Sequence, residues 1–173
     1  MATLFDALNA INLAETAAVN TINADAWLGN TSNVALVHQK IRATSEDPFA
    51  LYLITELPAI GVLAGQGEAD EVVANQEFEE YFRLGFDVWV AGGELDAADT
   101  TVKQIVARLR RLMRLQAYSV VVESESSQLD GFLADGEIRN EGYDFEYINS
   151  ENGTWLVHGV TYSTILVLSS STE

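Results

Sequence analysis

The clearest pattern of apolar positions lies in Glu80–Ala91, where apolar and polar residues alternate. Asp87 and Trp89 fall on one side of the alternation, together with Arg83 and Gly85. Period-two alternation of aromatic and branched residues is typical of a strand with one buried face. Gly92-Gly93 then interrupts the pattern and predicts a turn. The residues predicted to face the core are Phe82, Leu84, Phe86, Val88 and Val90.

After this turn the apolar residues change to helical spacing. Their recurrence every three or four positions predicts an amphipathic helix over Asp96–Leu115 with one buried stripe. Acidic residues precede or open this helix and arginines crowd its last turns, which suits the helix dipole at both ends. The stripe consists of Val102, Ile105, Val106, Leu109, Leu112 and Met113.

The pattern before the central strand is weaker. A helix is predicted to begin at Thr3, while Val34–Arg42 fits either a short helix or a strand. Asp47-Pro48 predicts a capped start for one or two helical turns over Phe49–Leu57. Ala59–Ala64 is a predicted strand, pairing most simply as the antiparallel neighbour of the central strand, and the polar stretch Gly65–Gln76 is a predicted loop.

Beyond the central helix, three successive valines predict a strand in Tyr118–Glu123. Tyr143, Phe145 and Tyr147 then alternate with acidic residues, and Asn152-Gly153 is the strongest hairpin signal in the chain. The predicted return strand, Thr154–Leu168, is apolar on both sides near its end. We therefore expect it to lie inside the sheet or in an interface.

These elements predict a single domain over residues 1–173, because one core suffices for a chain of this length. The predicted fold class is α+β: a mostly antiparallel β-sheet with an N-terminal helix and a central amphipathic helix packed on one face. No apolar run is long enough to span a membrane, and the first residues lack the basic region of a secretory leader. The chain has no cysteine, which excludes disulfides, thiolate catalysis and cysteine–zinc sites.

Charge is the strongest global signal, with 26 acidic against 9 basic residues and a net charge of −17. Such a surface disfavours broad nucleic-acid binding, because it repels a phosphate backbone. The acidic residues are dispersed in a chain that is 48% hydrophobic, which argues for a folded core rather than a disordered tail. We expect adaptation to concentrated salt, since about 1 M salt shortens the screening length to about 3 Å and removes most self-repulsion. An ordinary acidic protein is the alternative.

Motifs for catalysis are lacking. The two histidines, His38 and His158, are expected to be packed or superficial side chains, and the acidic residues Asp130, Asp135 and Glu137 lack the spacing of a calcium loop. No nucleophile elbow, phosphate loop or dinucleotide fingerprint occurs. The sequence therefore predicts no catalytic, cofactor-binding or metal-binding residues, and a protein that is not an enzyme.

The central helix carries five of the nine basic residues. They can serve to compensate the helix dipole and to pair within the chain, or they can form a basic patch that meets an acidic face of another copy. A weaker variant has the arginines facing DNA. The candidate subunit-interface residues are Lys103, Arg108, Arg110, Arg111 and Arg114 on the helix, and Trp155, Val157, Ile165 and Val167 on the last strand.

In the order of its elements, the chain resembles the tail terminator (tail completion) proteins of long-tailed phages and related archaeal viruses. An N-terminal helix precedes Leu57-Pro58-Ala59-Ile60-Gly61-Val62, which is similar to the first strand of that family. Glu80–Ala91 resembles its second strand, an acidic turn and the helix Asp96–Leu115 follow, and the hairpin Tyr143–Leu168 closes the chain. Tyr118–Leu133 fits less well and is a candidate insertion. The acidity would suit a virus of a salt-loving archaeon.

This resemblance implies a virion protein, assembled in the host cytoplasm, that forms a usually hexameric ring at the top of the tail tube. Such a ring ends tail polymerisation and joins the tail to the head. The implied partners are other copies of the chain, the tail tube protein and the head–tail connector protein, with DNA passing through the lumen without sequence-specific binding, and no membrane. It implies no cofactor and no catalytic residue. A neighbouring neck or head-completion protein and a small ligand-binding α+β module remain alternatives.

Overall fold

A computed structural model describes residues 5–6, 10–39, 42, 47–67, 71–74, 77–116 and 133–170. Two 3-10 turns, Pro48–Ala50 and Ile54–Glu56, precede the central strands. None of the helices in these ranges is long and apolar enough to cross a membrane. The helices and strands are β1 (Phe5–Asp6), α1 (Ala10–Ala24), β2 (Leu36–Gln39), β3 (Ala59–Gly67), β4 (Glu71–Ala74), β5 (Glu77–Gly92), α2 (Leu95–Gln116), β6 (Leu133–Asn149) and β7 (Trp155–Ser170).

The strands form one sheet in the order β1-β7-β5-β3-β2, with β4 also paired to β5 and β6 also paired to β7. All pairings are antiparallel except those of β1 with β7 and of β2 with β3. The central strand β5 pairs with β7 along its whole length, from Glu77 opposite Ser170 to Gly92 opposite Trp155. The strand predicted from alternation is therefore the centre of the sheet.

Both helices pack on the same face of this sheet, which confirms the predicted α+β fold. The alternating apolar residues of β5 point to that face, and the whole predicted stripe of α2 is buried against them. α1 contributes Ala14, Ala18 and Ile22 to the same cluster, beside Ile60 and Val62 of β3. Each buried apolar side chain contributes roughly 1.5–3 kcal/mol to the free energy of folding before the loss of conformational entropy is subtracted. This layer therefore stabilises the fold.

The opposite face of the sheet carries a smaller apolar cluster. Trp89 of β5 and Leu156 of β7 pack there under the segment with the two 3-10 turns, which supplies Leu51 and Tyr52. Asp47 accepts a hydrogen bond from the Phe49 backbone N–H (3.0 Å), so the predicted cap before proline is confirmed. In the ranges that the structure describes, no α-helix packs on this face.

Several local predictions are corrected by long-range pairing. The first helix begins at Ala10 rather than Thr3, because Phe5–Asp6 forms a strand beside the end of β7. The ambiguous segment contains the strand β2, parallel to β3. The predicted loop Gly65–Gln76 contains the end of β3 and the strand β4, which pair with β5. The segment Tyr118–Glu123 lies outside the described residues.

The predicted C-terminal hairpin is confirmed. β6 and β7 pair antiparallel, and the turn between them places Gly153 at φ +78°, in the left-handed region that glycine adopts without strain. The Gly153 backbone N–H donates to the Ser150 carbonyl oxygen (3.0 Å). β6 lies beside α2 on the helix-bearing face, and the two elements enclose a cleft.

Candidate functional site

A cleft of about 430 Å³ lies between α2 and β6. We call it the basic groove. Four of its eight lining residues are basic and none is acidic, in a chain with a net charge of −17. The lining residues are Lys103, Val106, Ala107, Arg110, Arg111, Arg114, Tyr143 and Phe145.

Helical spacing places the basic side of the groove. Lys103, Ala107, Arg110, Arg111 and Arg114 recur at intervals of three or four residues, so they share one face of α2. The buried apolar stripe of α2 lies on the neighbouring face of the helix, and its packing orients the basic face toward β6. The four cations are therefore held on one rigid element.

The aromatic side of the groove comes from the pairing of β6 with β7. Tyr143 lies opposite Thr161 and Phe145 lies opposite Gly159 in the antiparallel register, which puts both rings on the helix-bearing face. Gly159 leaves the space that Phe145 and Val102 fill, since a Cβ there would lie 2.9 Å from Val102 Cγ2 and 3.1 Å from the Phe145 ring. Tyr143 is 60% exposed and so presents an aromatic surface at the groove.

Lys103 is neutralised within the chain. Its Nζ donates to Asp99 Oδ2 (2.7 Å) one helical turn earlier, and Tyr147 Oη donates to Asp99 Oδ1 (2.7 Å). The hydrogen bond with Asp99 raises the pKa of Lys103, while those from Lys103 and Tyr147 lower the pKa of Asp99. This end of the groove therefore carries little free positive charge.

Arg110 forms the fixed floor of the groove. Its Nη1 donates to the Glu141 carbonyl oxygen (2.6 Å) and to Thr161 Oγ1 (3.0 Å), and its guanidinium lies 5.1 Å from the centre of the Tyr143 ring. Asn140 Nδ2 in turn donates to the Arg110 carbonyl oxygen (2.7 Å). The carbonyl and hydroxyl groups that accept from the guanidinium are neutral, so they orient it without cancelling its charge.

Arg111 and Arg114 are exposed on the same face of α2. Within the described ranges, neither forms an ion pair. With Arg110, they leave three positive charges in the groove that no described carboxylate balances. Of the basic residues in the groove, Lys103 is therefore paired within the chain, whereas Arg110, Arg111 and Arg114 form an open cationic surface.

The remaining predicted interface residues lie elsewhere. Arg108 points away from the groove, and its guanidinium stacks 4.1 Å above the Trp27 ring. Trp155 is half-buried opposite Gly92. Val157 and Ile165 lie in the core of the single chain with 0% exposure, which leaves them no surface for a partner and corrects their assignment to an interface. Val167 pairs in the sheet opposite Glu80.

A polar cluster on the opposite face gathers residues that the sequence did not connect. The buried Asp87 accepts a hydrogen bond from Trp89 Nε1 (2.7 Å) and contacts His158 Nε2. The His158 ring stacks on Trp89 with 4.0 Å between centroids, and its Nδ1 lies 3.8 Å from Glu146 Oε2. This histidine is thus packed, as expected, and satisfies a buried carboxylate.

The second histidine belongs to the same side of the sheet. His38 Nε2 lies 2.9 Å from Tyr52 Oη, and burial raises the pKa of Tyr52 to about 12. In the part of the chain that the structure describes, no group of three or more potential ligands is placed to hold a metal ion.

Sequence reasoning found the cations of the groove but not its second wall. The alternation of Tyr143 and Phe145 was visible, but that β6 lies beside α2 follows only from its pairing with β7. No protein-family model matches the chain, and a search of curated proteins finds no significant match. The family resemblance therefore depends on the order of elements and on the residues quoted for it.

Proposed function

We propose that this chain is a structural subunit of a ring at the top of a viral tail, where it ends tail polymerisation and joins the tail to the head connector. The observation that carries the proposal is the basic groove. It provides a built surface for an anionic macromolecule in a chain whose remaining surface is strongly acidic.

Charge complementarity favours another copy of the chain as the partner of this groove. Every copy carries a net charge of −17 and a cationic surface around Arg111 and Arg114, so each copy offers both signs of charge. Copies that meet through two different patches make a heterologous contact, and such contacts close into rings when the rotation between subunits allows it. Complementary charges of this kind select the partner and its register.

The order of the elements supports placing that ring in a tail. The helix, the strand containing Ala59-Ile60-Gly61-Val62, the central strand, the amphipathic helix and the closing hairpin follow one another as the resemblance to tail terminators implies. Among the described residues, both α-helices pack on one face of the sheet, and a sheet with its other face free of α-helices suits a subunit that abuts its neighbours or the tail tube.

The first test measures the mass of the purified chain by light scattering across a salt series from about 0.1 M to about 1 M. We expect a closed oligomer of defined mass, with a ring in electron micrographs. A monomer at every salt and protein concentration, including in the presence of tail tube protein, would contradict the proposal.

The second test changes the groove. The variant R111Q/R114Q removes two positive charges from the lining and is expected to shift the protein toward monomers. The matched control A97E/Q104E changes the net charge equally on exposed positions of α2 outside the lining, and should assemble normally. If both variants lose assembly equally, the loss depends on net charge. If both assemble normally, the groove is not an interface.

A further inference from the structure

The fold separates the charges of the chain and collects acidic residues at one end of the sheet. There, β4 pairs with residues 77–79 of β5, and β4 together with residues 77–80 contains Glu71, Glu77, Glu79 and Glu80. The neighbouring strand ends, β1 and residues 166–170 of β7, contain no basic residue. We call β4 and residues 77–80 the acidic arm.

The arm extends past the end of α2. Arg110 contacts Thr161, which lies opposite Phe86 of β5. From there α2 continues to Gln116, about 9 Å at 1.5 Å per residue, whereas β5 continues to Glu77, about 30 Å at 3.3 Å per residue. The arm therefore projects about 20 Å beyond the end of α2.

The arm also brings like charges together along its register. Its register places Glu71 directly opposite Glu79, and like charges at directly opposed positions destabilise a strand pair. The basic groove has the converse surplus, because Arg110, Arg111 and Arg114 lack a described carboxylate partner. An extended acidic hairpin brought against those cations would relieve both surpluses.

From this complementarity we propose that the acidic arm of one copy docks into the basic groove of the next. The proposal rests on the proposed ring and names its contact: residues on β4 and β5 of one subunit against α2 and β6 of its neighbour. Because the two surfaces differ and lie at different places on the chain, the contact is heterologous and propagates from subunit to subunit. Ion pairs that become partly buried on docking are screened less than exposed ones, so we expect the contact to weaken with salt less than exposed pairs do.

The absence of cysteine from the chain allows a clean cross-linking test. One batch carries A107C, at an exposed position of the groove that leaves every cation in place, and a second batch carries E79C in the arm. One of the two batches carries an added tag that changes its mass, so that after mixing and mild oxidation a disulfide-linked heterodimer separates from both homodimers on a non-reducing gel; we expect this heterodimer band. Mixing separate single-cysteine chains ensures that a mixed bond joins two copies. The control pairs A107C with E94C, which lies in the turn before α2.

The outcomes separate the two proposals. A 107–79 cross-link well above the 107–94 background supports the docking of the arm. Ring formation without that cross-link overturns the docking and leaves the ring intact. A chain that forms no ring under any condition contradicts the proposed function itself.

A charge-reversal series provides an independent test. E79K/E80K and R111E/R114E should each weaken assembly by about tenfold or more, which corresponds to about 1.4 kcal/mol. The combined variant has reversed charges on both surfaces and should recover most of the assembly. Circular dichroism and urea unfolding of each variant show whether it is folded. If the combined variant assembles no better than the weaker of the two, the arm does not occupy the groove.

Discussion

The most direct test of the packing behind the groove is the substitution G159A. Gly159 of β7 lies under α2, where an added Cβ would be 2.9 Å from Val102 Cγ2 and 3.1 Å and 3.2 Å from two atoms of the Phe145 ring. Separations below 3.0 Å between such carbon atoms are not tolerated, so α2 or β6 must move. The substitution therefore presses apart the two elements that form the groove.

The magnitude follows from how little the neighbours can yield. Val102 is fully buried, and a branched side chain in a helix has one strongly preferred rotamer, so it cannot turn away. Overpacking of this kind costs about 1–3 kcal/mol. In a chain of 173 residues, each kcal/mol lowers Tm by about 2–4 °C, which predicts a loss of roughly 2–12 °C.

Urea unfolding followed by circular dichroism measures the change. G142A is the matched control, because Gly142 is exposed and a Cβ there meets nothing within 4 Å, so its effect should stay within about 0.5 kcal/mol. Adding V102A to G159A makes room for the new methyl group, and the double variant should lose less stability than the two single losses predict. Wild-type stability of G159A would refute the reasoning.

Three further substitutions test other parts of the structure. Burial raises the pKa of Tyr52 from 10.0 to about 12, so the neutral phenol stabilises the fold below pH 10 and this contribution is lost as pH rises toward 12. Y52F should therefore remove one late-titrating phenol from an absorbance titration, and an unchanged titration would contradict this assignment. The hydrogen bond from Arg42 lowers the pKa of Glu56 from 4.5 to about 2. The ionised Glu56 therefore contributes stability above pH 4.5, and this contribution is lost as pH falls toward 2. E56Q should flatten that part of a curve of stability against pH, and an unchanged curve would contradict this role of Glu56. L109A empties a fully buried position and should cost about 2–5 kcal/mol in urea unfolding, whereas L115A at a half-exposed position should cost about 0.5 kcal/mol or less.

Local periodicity was sufficient to predict the elements that have one buried face. The alternation ending at Val90 and the stripe through Leu109 each express a geometry that repeats within a few residues, so β5 and α2 were found with nearly correct bounds. Gly153 was found for a similar reason, since a tight hairpin turn requires a residue that adopts positive φ.

The remaining features depend on contacts between distant parts of the chain. Asp87 and His158 are 71 residues apart, and only the pairing of β5 with β7 brings them together. The short strand β1 exists because it pairs with β7, and its own sequence carries no period. Helical spacing showed that Arg110 and Arg111 share a face, but the Tyr143 wall opposite them follows from the register of β6.

The position of β7 in the sheet also determines the order in which the protein can fold during its synthesis. In the chain, α2 and β6 lie between β5 and β7, yet β7 pairs with the whole length of one edge of β5. A nascent chain that has left the ribosome only as far as α2 exposes that side of β5 as an unpaired strand, and unpaired edges favour aggregation. We therefore expect the chain to reach its native state only after the hairpin is complete.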